Sequence, residues 1–392
     1  MTVDVAQVQA AVRGMLEVVA EDLRRSVPAE WDRALSATPR HRFLPDTIWL
    51  ADDDPYRPVS RSDDQAGWFS AAYTDAPVIT QINDGAAPSD PNDLWASSSA
   101  SQPSIVVRML MELDVRPGQR VMEIGTGTGW NTALLAERVG AQNVVSVELD
   151  AALAARARDS LLAAGVEAVV VVGDGADGWE DGGPYDRVIA TCSVRQVPVA
   201  WISQSRPGSI VLTPWESPWC SYGLLRLRVA ADGSAAGRFS PHSAFMLMRG
   251  QRIDLRIYRD IVHDEDVPDE SLTSLDPGMV AGEDFDVQFA LGLRLGDVWH
   301  VWDHDPDVAG VTRRLWLATV DGSSWAAVDQ GEDPDLFTAW QHGSRRLWDE
   351  VEAGWAWFEA NDRPSPSRFG LTVDADGTHR AWLDGPGQSW RV

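Results

Sequence analysis

Cysteine is nearly absent from this sequence. Only Cys192 and Cys220 stand among 392 residues, too few for a disulfide framework and suited to a reducing cytoplasm. No apolar run approaches the roughly 18 residues that read as a membrane helix. The N-terminal MTVDVAQVQA lacks a basic segment leading into an apolar one and does not read as a signal peptide. Basic charge is short, with 33 Lys+Arg against 59 Asp+Glu and a net charge of −26. Such a field repels nucleic acid and favours a cationic or neutral partner. No Cys/His cluster has zinc spacing. His300 and His304 lie beside Asp303 and Asp305, but in a stretch that reads as a strand, so no metal is expected. Neither a G-x-S-x-G nucleophile elbow nor a Walker loop is present. These absences leave a soluble, cytoplasmic chain, long enough for two domains, with no nucleic-acid or membrane partner.

What is present is organised around RVMEIGTGTGW, residues 120–130. A short buried strand turns through Gly125, Gly127 and Gly129 into an apolar helix opening at Asn131. That is how α/β proteins bring backbone N–H groups and a helix N-terminus to a ligand. The next strand, VVSVELD, ends at Glu148, about 20 residues past the glycines, where a carboxylate accepts the hydroxyls of a ribose. Dinucleotides and S-adenosylmethionine share this geometry. The dinucleotide fingerprint is G-x-G-x-x-G, whereas the glycines here read G-x-G-x-G and Trp130 follows. Glu123, inside the strand, would repel a pyrophosphate but suits an ammonium. The charge argument favours S-adenosylmethionine.

Val5 to Leu23 is spaced as an amphipathic helix ending near Pro28. His41, in TPRHRFLP, is flanked by arginines and prolines and reads as structural. Residues 51–93 form a Pro-, Asp- and Gly-rich excursion with a strand at 76–82. In ASSSASQPSIV, Ser101 is placed to cap a helix starting at Pro103, so the serine run is either a polar loop and cap or part of a site. Strands at 167–172 and 186–191 follow, the first ending in Asp174-Gly175, which is equally a common turn. Ligand candidates at successive strand ends mark an open parallel sheet. Residues 222–229 and the stretch beyond read as antiparallel edge strands. Past residue 250 the composition shifts, more than half of the 19 tryptophans lie beyond 290, and residues 334–361 read as helix. The expected division is an N-terminal helical and cover segment (1–100), a cofactor-binding core (101–250) and a tryptophan-rich α+β module (251–392). Those tryptophans either line a peptide groove or fill a small core.

Several of these motifs together resemble protein-L-isoaspartate O-methyltransferases: PRHRFLP at 39–45, SASQPSIV at 99–106, VMEIGTGTGW at 121–130, VVSVELD at 144–150, GDGADGW at 173–179 and PYDRVIAT at 184–191. The resemblance implies a class I S-adenosylmethionine-dependent methyltransferase, a Rossmann-like mixed seven-stranded sheet, and methyl transfer to a carboxylate with S-adenosylhomocysteine as product. It puts Ser101 beside the transferred methyl. Glu123 and the Gly125–Gly129 loop, with Thr126, would hold the methionine part, Glu148 the ribose, and Asp174 with Gly175 the adenine, with Leu149 also in the implied cofactor set. Ser99 and Thr191 complete the implied cofactor set, and Ser98, Gln102, Cys192 and Ser193 would face the substrate. Ser99-Ala100 stand where the family usually has Thr-Ile, and Thr191 to Arg195 replace its alanine run. The C-terminal third lies outside the repair enzyme of this family. The layout resembles members that methylate an aspartate of a modified precursor peptide in lanthipeptide, lasso-peptide or ATP-grasp-linked pathways, leading to aspartimide and isoaspartate. A repair enzyme for isoaspartyl proteins and an inactive cofactor-binding peptide receptor are the alternatives; the oligomeric state stays open.

Overall fold

The computed structural model of the chain describes residues 4–50, 56–87, 94–241, 244–253 and 260–392. The chain gathers into two units: Met1–Cys192, Val197–Thr213 and Arg226–Ala235 form one, and Ser193–Gln196, Pro214–Leu225 and Ala236–Val392 the other. The boundary expected at residue 250 is therefore not a single cut. Ser193 belongs with the second unit because its backbone N–H donates to Met246 and its carbonyl accepts from Met248, both at 2.9 Å.

In the first unit, Asp4 caps the helix Val5–Asp22, which buries Val12, Met15 and Val19. It stops short of Pro28, and a second helix, Ala29–Ala37, begins directly after that proline. Strands β1 (Thr47–Leu50), β2 (Arg57–Ser60), β3 (Val78–Ile82) and β4 (Ala96–Ala100) make a four-stranded antiparallel sheet in the order β2-β1-β3-β4. Its apolar side closes over Ile48, Val59, Trp68, Phe69 and Val78. The serine run is thus a strand, not a loop: Ser98 and Ala100 turn inward with period two while Ser97 and Ser99 are less covered. β3 carries a bulge around Gln81, which re-aims that side chain. Parts of the expected excursion, 51–55 and 88–93, lie outside the described residues.

The cofactor sheet follows. Its strands are β5 (Val121–Ile124), β6 (Val144–Glu148), β7 (Val169–Val172), β8 (Tyr185–Ala190), β9 (Ser205–Pro214), β10 (Leu224–Val229) and β11 (Ala235–Ser240), in the order β11-β10-β9-β8-β5-β6-β7. The pairs β5–β6, β5–β8, β6–β7 and β8–β9 are parallel. β5 sits centrally, which is why all four of its residues are buried. Helices Pro103–Leu113, Trp130–Val139 and Ala151–Ala163 accompany it.

The second unit has a five-stranded antiparallel sheet of β12 (Asp269–Thr273), β13 (Val298–Asp303), β14 (Arg313–Thr319), β15 (Ser324–Gln330) and β16 (Phe337–Gly343), ordered β12-β16-β15-β14-β13. Three further strands, β17 (Phe369–Val373), β18 (His379–Leu383) and β19 (Ser389–Arg391), pair as an antiparallel meander whose first strand lies beside β11, in the order β19-β18-β17-β11. The helix expected over 334–361 is only half present. Phe337, Ala339 and Gln341 are buried alternately, a strand period, and the helix is confined to Leu347–Ala360. Gly354 lets that helix approach Phe285–Arg294, since a Cβ there would lie 2.7 Å from Leu291 Cδ2. The tryptophans are largely spent on packing and on arginines: Arg294 lies over both Trp357 and Trp390, and Arg313 over Trp302. Among the described residues no helix is long and apolar enough to cross a membrane.

Candidate active site

Gly125, Gly127 and Gly129 carry φ values of +91°, +54° and +85°, a region where side chains are strained. Space excludes a larger residue at Gly125 as well, since a Cβ would lie 2.8 Å from Thr191 Oγ1. Thr191, at the end of β8, uses that hydroxyl to donate to the carbonyls of Ile124 (3.1 Å) and Gly125 (2.5 Å). It braces the loop. Thr126 Oγ1 meets Ser146 Oγ at 2.6 Å inside the fold.

The two acids of the motif do different work. Glu123 is fully buried. One of its oxygens accepts from Asn131 Nδ2 at 2.7 Å, the other from Ser146 Oγ at 2.6 Å and from Thr132 Oγ1. Burial pushes this carboxyl above its usual range, and the charge of Glu148 adds to the rise, against the three donors. It does not stand open to a ligand, as its expected contact with an ammonium had it; it ties β5, β6 and the following helix together. Glu148, only 8 % exposed, accepts from Gly127 N–H at 2.9 Å and Asp150 N–H at 3.0 Å, one on each oxygen. Each oxygen retains a lone pair.

β4 lies over the glycine loop: a Cβ on Gly127 would stand 3.7 Å from Ser98 Oγ and 3.8 Å from the Ser99 carbonyl. Ser98 accepts from Thr80 Oγ1 at 3.3 Å. Ser101 does not cap the helix at Pro103. Gln102 occupies the cap position but its side chain makes no capping bond to the helix backbone; Asp75 supplies the acceptor, taking Ser104 N–H at 2.8 Å and Gln102 Nε2 at 3.1 Å. The hydroxyl of Ser101 is left without a partner among the described residues, half-buried at the end of β4. Its own carbonyl and that of Ala100 accept from Arg40 Nη2 at 2.9 and 2.8 Å.

Elsewhere the expected residues fall as follows. Asp174 is exposed, with one oxygen accepting from Ala176 N–H at 2.9 Å; neighbouring Gly175 is buried and its carbonyl takes Trp201 Nε1 at 2.7 Å. Leu149 stays 44 % exposed beside Glu148. Cys192 is half-buried, and its thiol is in no disulfide. Ser193 does not face a substrate: it is fully buried, and its hydroxyl donates to the Phe245 carbonyl at 3.0 Å. Sequence reasoning missed Arg40, Asp75 and Gln81. Gln81 joins the strand sheet to the end of β6, donating to Asp150 at 2.9 Å while accepting from Ser97 at 2.9 Å. Arg40 stands in PRHRFLP, where the histidine is the more conspicuous residue. His41 contacts Tyr73 through Nδ1 at 2.5 Å and packs on Phe69, and burial lowers its pKa to about 4.

A carboxylate with free lone pairs at the strand end beside the glycine loop and an uncommitted acceptor on Asp174 fit S-adenosylmethionine. The fold and this site define a class I S-adenosylmethionine-dependent methyltransferase. The family described as Protein-L-isoaspartate(D-aspartate) O-methyltransferase (PCMT) matches residues 57–248. A protein-L-isoaspartate O-methyltransferase of Pyrococcus horikoshii is 35% identical over 163 residues, covering 41% of this chain and 74% of that one. The Methylorubrum extorquens protein of the same name is 32% identical over 218 residues, 55% and 79% of the two chains. The Ignicoccus hospitalis one is 38% identical, but the match spans 61% of its length. The chain belongs to the protein-L-isoaspartate O-methyltransferase family and is an S-adenosylmethionine-dependent carboxyl O-methyltransferase. A solved protein-L-isoaspartate O-methyltransferase aligns over 95% of this chain and all of its own, with a TM-score of 0.55 at 19% identity. Its fold therefore extends into the tryptophan-rich unit, which was expected to lie outside the repair enzyme.

Proposed function

We propose that the chain methylates the carboxylate of L-isoaspartyl residues in damaged proteins, inside a reducing cytoplasm. The observation that carries the reading is Ser101: an unspent hydroxyl at the end of a strand lying over the glycine loop. Bound S-adenosylmethionine would supply a methyl group already activated on a sulfonium. The substrate carboxylate is ionised at neutral pH, so no general base is required. The protein's part is to orient it: Ser101 donates to one carboxylate oxygen and aims the other, with the backbone near Ser99 to Gln102 supporting it. Glu148 would take the ribose, Asp174 and Gly175 the adenine, the loop backbone the methionine end, and β4 with Gln102 and Cys192 the substrate side.

Methylation of an aspartate in a modified precursor peptide, leading to aspartimide, is the second reading. It is favoured by the stretch from Thr191 to Arg195, which stands where the family usually runs through alanines. One experiment separates the two: mass spectrometry of isoaspartyl peptides, matched aspartyl peptides and a neighbouring precursor peptide after incubation with S-adenosylmethionine. A methyl gained by the isoaspartyl peptides alone supports repair. A methyl on the precursor alone, lost as methanol, transfers the assignment to peptide maturation. No product with bound cofactor makes the chain a binder.

A further inference from the structure

Arg40 is fully buried, and among the described residues its guanidinium donates to no carboxylate. Instead it donates to five backbone carbonyls: Ala72 and Thr74 through Nη1, both at 3.2 Å, and Ala76, Ala100 and Ser101 through Nη2, at 3.0, 2.8 and 2.9 Å. Its Cζ lies 5.3 Å from the ring centroid of Trp130, the first residue of the helix that follows the glycine loop. Trp130 is itself anchored by donating to the Thr38 carbonyl at 3.0 Å. A buried cation is costly unless its hydrogens are used; here both terminal nitrogens are used to gather separate stretches of backbone, while Nε is left buried without a partner. The carbonyls at 72, 74 and 76 flank Asp75, which receives Gln102 Nε2 and Ser104 N–H.

We propose that Arg40 and Asp75 form a two-sided clamp that positions Ser101 against the cofactor loop. Arg40 holds the corner by the carbonyls of Ala100 and Ser101, and it shapes the 72–76 turn that presents Asp75. Asp75 holds the far side at Gln102 and Ser104. Because Asp75 supplies the helix cap, Ser101 is spared that task and its hydroxyl stays free. Trp130 stacks beneath the guanidinium, so the reference point for the corner is the helix rooted in the glycine loop. Arg40 and Asp75 are positioning residues, and the inference rests on the reading of Ser101 as the group that meets the carboxylate.

The test uses the full chain and the variants Arg40→Lys, Asp75→Asn and Ser101→Ala, singly and with each positioning variant combined with Ser101→Ala. An ammonium has three donors and no planar face, so lysine cannot serve five carbonyls or stack on Trp130. Calorimetry gives S-adenosylmethionine affinity, and hydrogen exchange gives the protection of residues 98–104. The expected result is exchange at 98–104 faster by about tenfold, kcat lower by about tenfold or more, cofactor affinity within about twofold, and little further loss of rate when the Ser101→Ala change is already present. Unchanged exchange at 98–104 in folded Arg40→Lys and Asp75→Asn overturns the clamp. So does a loss of rate that is equal with and without the Ser101→Ala change. If Arg40→Lys fails to fold, Asp75→Asn carries the same readouts. Ser101→Ala at full rate fails the reading of the site instead, and that outcome is visible in the single variant alone.

Discussion

The carboxylate of Glu148 accepts the backbone N–H of Gly127 at 2.9 Å. The acid that closes one strand thus fixes the middle glycine of the loop that follows its neighbour. Glu148→Ala leaves that donor and the Asp150 N–H without their acceptor, at a cost of about 1–3 kcal/mol in stability. Thermal melts should show the loss, and titration calorimetry should show S-adenosylmethionine bound about tenfold more weakly. Glu148→Gln, which keeps one acceptor, should fall between.

Ser101→Ala should act on the chemical step. With the unspent hydroxyl gone, kcat should drop about 10- to 100-fold while cofactor affinity holds within about twofold. Steady-state kinetics on an isoaspartyl peptide beside calorimetry checks both numbers. A wild-type rate removes Ser101 from the mechanism.

His41 should make stability depend on pH in the mildly acid range. Burial, then Arg42 and Arg61, lower its pKa from 6.5 to about 4, so the native state binds the proton less readily than the unfolded chain. The stability tied to the neutral ring is fully present above pH 6.5 and is lost as pH falls towards 4. Melting temperatures of wild type and His41→Gln, compared from about pH 7 to 4, should diverge in that window, with the wild type falling more steeply.

Glu123 works in the opposite sense. Its pKa is raised from 4.5 chiefly by burial, so its contribution is greatest below pH 4.5 and is lost as pH rises through the folded value. Glutamine keeps the shape and has no charge to bury. Urea melts should show Glu123→Gln gaining on the wild type as pH rises above 4.5; parallel curves there would show that the carboxyl ionises as readily in the folded chain as in the unfolded one.

The cofactor half of the site is legible in the sequence because its residues obey local rules. Glycines at positive φ, a strand before them and an acid at the next strand's end all follow from spacing along a few dozen residues. Ser101 is legible from its motif, but a capping role is not, because the true cap, Asp75, comes from 29 residues away in the chain. Glu123 reads as open because a sequence shows which residue type occupies a strand, not that Asn131, Thr132 and Ser146 close around it. The strand at Phe337–Gly343 reads as helix because its period-two burial emerges only against the strands that flank it. Arg40 escapes for the same reason. Its partners are backbone carbonyls, which leave no trace in side-chain identity.

The second unit draws on three separated stretches of chain. Trp215 and Trp219, made early in synthesis, find their aromatic neighbours in Phe289 and His300, with ring centroids 5.8 and 4.6 Å apart. A stop codon after residue 250 would therefore leave the first two of its stretches behind. Any grafting of the second unit onto another enzyme has to carry the loops after β8 and β9 along with it.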